Sequence, residues 1–171
     1  MILDTESDFF ERACDVPLNL ATTPPLMEAG IELILRRDDV VDTELSGNKA
    51  YKLFYHLQAA RAGQLNRILS FGGAYSNHLH ALAFAGKRFG FNTLGVIRGE
   101  APKSLSPTLQ DAREAGMELL FINRAEYRRK SFDNLLQEWR DRYGDFYMIP
   151  EGGAGVSGAR GMSLVGRALE R

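Results

Sequence analysis

Four glycines set the beat of this chain. Gly63, Gly90, Gly116 and Gly144 stand about 27 residues apart, each after a helix-like stretch and before a short apolar run. Glycine is favoured just past a helix because the C′ residue often needs φ > 0. One helix, one strand and two turns fill such an interval. The apolar runs are Ile68–Phe71, Thr93–Ile97, Glu118–Ile122 and Phe146–Ile149. Short runs without polar alternation suit strands covered on both faces, as in a parallel sheet. The beat is therefore a βα cadence. It is not a solenoid repeat, because glycine is the only residue clearly shared between intervals. The expected fold is α/β: a parallel sheet of about four strands flanked by helices and joined by right-handed crossovers.

The intervening stretches read as helices. Leu53, Phe54, Leu57 and Ala60 form one apolar face, and Phe132, Leu135, Leu136, Trp139 and Tyr143 another. Ser106 before Pro107 reads as an N-cap with proline at the first helical position. The first 45 residues break the cadence. Thr22–Leu26 reads as a proline-interrupted extended segment, and Ile31–Arg37 as a strand ending at the charged turn Asp38–Asp39. The expected organisation is an arm over 1–45, a small α/β unit over 46–153, and a helix over 154–171. Ser157 is a candidate N-cap for that helix. Its apolar residues Met162, Val165 and Leu169 are expected to lie bare.

Composition narrows the function classes. The chain has 171 residues, 21 Lys plus Arg against 22 Asp plus Glu, and 44% hydrophobic residues. A net charge of −1 lacks the basic excess of a general nucleic-acid binder. No apolar run approaches the roughly 18 residues that span a bilayer. The acidic N-terminus has no basic leader, so the expected compartment is the cytoplasm. One cysteine, Cys14, excludes an internal disulfide and a multi-cysteine zinc site. His78 and His80 have no obvious carboxylate or cysteine partner, so no metal site is expected.

Two loops carry the chemistry. Ser46-Gly47-Asn48-Lys49 opens the helix running to Ala62, and Gly72-Gly73-Ala74-Tyr75-Ser76-Asn77-His78 joins a strand to a helix. A glycine-rich turn leaving the carboxyl end of a parallel strand is where open α/β sheets bind ligands. The following helix N-terminus offers free N–H groups to a small anion. The plainer readings are a simple turn, an N-cap at Ser76 and a solvated lysine at 49. A lysine at a helix N-terminus is, however, electrostatically disfavoured as an ammonium, which lowers its pKa. No G-x-G-x-x-G and no Walker-type motif is present, which counts against a dinucleotide-binding domain. Glu151-Gly152-Gly153 is either a turn or part of the same crevice.

SGNKAYKLFYHL (46–57) followed by FGGAYSNHLHALAFAGKRFG (71–90) resembles the pyridoxal-phosphate enzymes that include 1-aminocyclopropane-1-carboxylate deaminase and D-cysteine desulfhydrase. IELILRRDD, NTLGVIRGE and IPEGG support the likeness. The resemblance implies fold type II, pyridoxal 5′-phosphate as cofactor, a small amino acid as substrate, a 2-oxo acid and ammonia as products, and a homodimer in the full-length family. It implies the Schiff base at Lys49, proton transfer or substrate contact at Ser76, a cofactor contact at Asn77, and substrate carboxylate binding along Ser76, Asn77 and His78. Tyr51, Tyr75 and His80 depart from residues usual in the family. The histidine at 78 resembles the desulfhydrase branch. The family's phosphate cradle and pyridine-nitrogen partner find no counterpart in this sequence, so the chain reads as the N-terminal arm and smaller domain. The alternative is a non-catalytic α/β fragment that binds a small anion or a partner chain.

Overall fold

The computed structural model describes residues 5–45, 47–129 and 133–171. Ser46 of the first loop and Phe132 of the last apolar face lie outside them. In chain order the elements are α1 (Glu6–Cys14), β1 (Leu18–Ala21), α2 (Pro24–Glu28), β2 (Leu33–Arg36), α3 (Asn48–Ala62), β3 (Arg67–Gly72), α4 (Asn77–Phe89), β4 (Asn92–Arg98), α5 (Pro107–Glu114), β5 (Glu118–Ile122), α6 (Arg124–Arg128), α7 (Asp133–Tyr143), β6 (Tyr147–Met148) and α8 (Val156–Leu169). No described helix is long and apolar enough to cross a membrane.

The four strands of the cadence form one parallel sheet, ordered β5-β4-β3-β6. Both faces are covered, as the unbroken apolar runs require. Along β3, Ile68 packs with α1, α3, α4, α5 and α8. Its neighbours Leu69 and Phe71 join Tyr127 of α6 and Leu136 and Trp139 of α7 on the opposite face. Helices α4 and α5 cover one face as the chain steps from β3 to β5. Helices α6 and α7 cover the other as it returns to β6. That arrangement gives every crossover the same hand, as the uniform handedness of such connections requires. The chain reverses direction between β3 and β6, so their carboxyl ends flank the topological switch point, where such sheets hold ligands.

The punctuating glycines behave as expected at three of four positions: Gly90, Gly116 and Gly144 have φ of 75°, 100° and 77°. Gly63 does not. It has φ −78°, and Gln64, at φ 55°, takes the positive turn one residue later. Ser106 caps α5 by accepting from the Leu109 N–H, with Pro107 behind it.

Three local expectations are overturned. Pro24 and Pro25 open a short helix instead of an extended segment, because a missing N–H costs nothing in a first turn. Ser157 is not the cap of α8, since Gly155 at φ 94° precedes Val156 and admits the chain. Helix α8 is not bare. Leu164 is fully buried, and Met162, Val165 and Ala168 pack on the core, leaving Val156 and Leu169 outside. The exposed apolar surface lies instead on the antiparallel pair β1–β2, where Leu20 faces outward beside Ile34 and Leu33 beside Ala21.

Helix α8 lies on α3 backbone to backbone. A methyl at Gly161 would overlap the Tyr51 carbonyl, and one at Gly158 the Gly153 carbonyl. Gly166, one and a half turns on, has open space around it. Gly161→Ala should therefore destabilise the chain by about 1–3 kcal/mol through overpacking. Gly166→Ala should stabilise it by about 0.5–1 kcal/mol through helix propensity. Urea unfolding of the two variants checks both signs.

Candidate active site

At the carboxyl end of β3 the chain turns through Gly72 and Gly73 into α4. A Cβ on Gly72 would stand 2.5 Å from Ser76 Oγ and 2.9 Å from Leu79 Cδ1, so only glycine lets the turn close this tightly. Ser76 is the N-cap of α4, its Oγ accepting from the Leu79 N–H at 3.2 Å. The Ser76 N–H donates to Gly73 O, and the His80 N–H to Ser76 O. The backbone N–H groups of Asn77 and His78 meet no acceptor among the described residues. Two free donors and the positive end of α4 thus stand at the mouth of the sheet. The Asn77 side chain is exposed beside them.

Lys49 is the second residue of α3, whose entry is made by Gly47 at φ 65°. Its side chain is only 8% exposed and has no ion-pair partner among the described residues. Burial, and then the charge of Lys52, hold its pKa below the ordinary lysine value. The direction matches the expectation from helix polarity, but the leading cause is loss of water.

The His78 side chain forms the floor between these two features. It is 2% exposed, and its Nε2 lies 2.8 Å from Ser70 Oγ. The Ser70 hydroxyl donates its single proton to Ile149 O at 2.8 Å. Nε2 must therefore be the donor in the pair, which assigns the Nε2–H tautomer and leaves Nδ1 a bare acceptor. Nδ1 has no partner among the described residues. Burial first, then the charges of Lys49, His56 and Lys52, push the His78 pKa down to about 3, with Glu151 opposing. Gly153 closes the site from the β6 side. A Cβ there would stand 3.1 Å from Lys52 Cβ and 3.6 Å from His78 Nδ1. The Glu151–Gly153 turn therefore packs beside Lys52 and His78. His56, one turn beyond Lys52, is also buried, with Nδ1 3.1 Å from the Tyr147 hydroxyl.

The three departures from the family pattern point away from this crevice or out to solvent. Tyr51 is fully buried, donates to Asp38 Oδ1 at 2.9 Å and accepts from Arg36 Nη2 at 3.1 Å, so it ties α3 to the arm. Tyr75 is exposed. His80 leans on Phe84 and faces Asp111 of α5 at 3.7 Å. Sequence reading missed Ser70, although it is the one polar residue inside the run Ile68–Phe71.

His78 also sets a pH dependence. In the unfolded chain it titrates near 6.5, whereas in the fold it stays neutral down to about pH 3. Its contribution is complete above pH 6.5 and is lost as the pH falls, because only the unfolded state gains the proton. Between pH 7 and pH 5 this one group should cost about 2 kcal/mol of stability. Urea unfolding at the two pH values should show that loss in the native chain and a correspondingly smaller one in His78→Gln.

No protein-family model matches the chain. A putative 1-aminocyclopropane-1-carboxylate deaminase of Thermotoga maritima is 33% identical over 135 residues, covering 77% of this chain and 43% of that protein. The mitochondrial bifunctional D-cysteine desulfhydrase/1-aminocyclopropane-1-carboxylate deaminase of Arabidopsis thaliana is 30% identical over 155 residues, covering 85% and 39%. Among solved structures, an ACC deaminase homologue superposes with a TM-score of 0.76 at 22% identity, over 97% of this chain and 54% of that one. The chain thus spans about two fifths of the length of the curated relatives it matches. These matches place the chain, over the part of the length it spans, in the fold type II pyridoxal-phosphate family that includes the 1-aminocyclopropane-1-carboxylate deaminases and D-cysteine desulfhydrases.

Proposed function

We propose that this chain carries the lysine-bearing part of a pyridoxal-phosphate-dependent deaminase or desulfhydrase. Its substrate would be a small amino acid of the 1-aminocyclopropane-1-carboxylate or D-cysteine type. The products would be a 2-oxo acid and ammonia, with sulfide where the substrate bears a thiol. The observation that carries the reading is the burial of Lys49 at the head of α3 without a counter-ion among the described residues, beside a histidine that cannot share its charge.

The residues fit the aldehyde end of such a cofactor. Pyridoxal phosphate supplies an electron sink for the pair left when a bond at the substrate Cα breaks. Lys49 Nζ, depressed in pKa, would be the amine that holds the cofactor's aldehyde and the atom that takes up and returns a proton. The N–H groups of Asn77 and His78 orient the substrate carboxylate at the head of α4. Ser76 Oγ accepts from Leu79 N, which leaves its own proton free to donate toward a bound substrate. The exposed Asn77 would contact a polar ring substituent of the cofactor. His78 Nδ1 stays unprotonated and offers no competing cation to the carboxylate.

Reduction with borohydride after addition of pyridoxal phosphate, followed by peptide mapping, tests the assignment. Label is expected on Lys49, at a pH below that needed for an ordinary lysine because its neutral form is reached earlier. Lys49→Ala should abolish the adduct and Lys52→Ala should leave it. Label on Lys52 alone would overturn the proposal. Carboxylate binding without any adduct would favour the non-catalytic, anion-binding reading.

A further inference from the structure

A second charged site lies along the same edge of the sheet and takes no part in the chemistry above. Strands β4 and β5 run parallel with Arg98 paired to Ile122, and the Gly99 N–H donates to Ile122 O. Arg98 and Arg124, two residues past Ile122, therefore leave the sheet at nearly the same level. Arg128 follows Arg124 by one helical turn and shares its face of α6. The three side chains line one open cavity of about 390 Å³.

Three guanidinium groups around one cavity repel one another. Among the described residues none of the three has a carboxylate ion pair, whereas Arg36, Arg37, Arg67, Arg88, Arg160, Arg167 and Arg171 each do. Glu100, two residues from Arg98, and Glu126, between Arg124 and Arg128, form no ion pair with them among the described residues. Glu151 acts electrostatically on the Tyr127 hydroxyl and helps to raise its pKa, and Glu126 lines a separate depression with Arg129. Arg98 is held in place, its guanidinium 5.7 Å from the Tyr127 ring centre. Its Nη2 also reaches to 3.7 Å from where a Gly73 Cβ would stand. A rigid fork of donors at each of three corners matches a tetrahedral oxyanion better than a planar carboxylate. With a net charge of −1 for the whole chain, the positive field is local, which suits a small ligand and not a nucleic-acid backbone.

We propose that Arg98, Arg124 and Arg128 form a binding site for the phosphate of a small organic phosphate monoester, separate from the Lys49 crevice. Calorimetric titration of this chain with phenyl phosphate and with inorganic phosphate tests it. Phenyl phosphate should bind saturably at one site. Its affinity should fall by about tenfold or more in Arg98→Gln/Arg124→Gln/Arg128→Gln, and by less in Arg124→Gln/Arg128→Gln, which keeps Arg98 on its Tyr127 support. Lys49→Ala should bind phenyl phosphate as the native chain does, so loss of the Schiff base would leave this result standing. Binding of inorganic phosphate alone, affinity unchanged in both arginine variants, or no saturable binding would each overturn the proposal.

Discussion

The close passage of α8 over α3 governs the arrangement around Lys49. Two glycines one turn apart, Gly158 and Gly161, let the α8 backbone rest on the carbonyls of Gly153 and Tyr51. No side chain intervenes, so the turn from β6 is drawn down onto Lys52 and His78. That contact brings the Glu151–Gly153 turn against Lys52 and His78. Burial in turn is the leading cause of the depressed pKa at Lys49, His56 and His78. The close packing of α8 on α3 thus belongs to the same burial that lowers the pKa of these basic groups.

Beside that turn the polar groups are ordered by a chain of hydrogen bonds. Ile149 O accepts a hydrogen bond from the Ser70 hydroxyl, Ser70 Oγ accepts one from His78 Nε2–H, and Nδ1 is left without a partner among the described residues. The chain links β6, β3 and α4, the three elements that meet at the switch point of the sheet. It fixes the side chain of the residue whose backbone N–H is left without an acceptor at the head of α4 among the described residues. A neutral imidazole suits this place, since a cation there would add to the unfavourable field already felt by Lys49.

The arm is fastened to the sheet domain at the same helix. Tyr51 faces away from the crevice and joins Arg36 and Asp38, while Phe9 of α1 stacks on Phe54 at 4.6 Å between ring centres. Helix α3 therefore serves two purposes by its periodicity: Lys49 and Lys52 face the site, Tyr51 and Phe54 face the arm. The residue that departs from the family pattern at position 51 is accounted for by this fastening.

The sequence alone determined the parallel sheet, because unbroken apolar runs between glycine-ended helices have few other ways to bury both faces. It also determined the caps at Ser76 and Ser106 and the place of Lys49 in a first turn, since these depend on neighbours within four residues. The resemblance carried by the Gly-Asn-Lys and Ser-Asn-His loops was legible for the same reason. What depends on residues far apart was not. The Ser70–His78 pair, the outward turn of Tyr51, the three arginines around one cavity and the passage of α8 over α3 arise only when strands register and helices pack. Gly63 shows the limit even locally: the helix before it ended on schedule, but the positive φ went to Gln64. Propensity fixes that a turn occurs, whereas the tertiary structure decides which residue makes it.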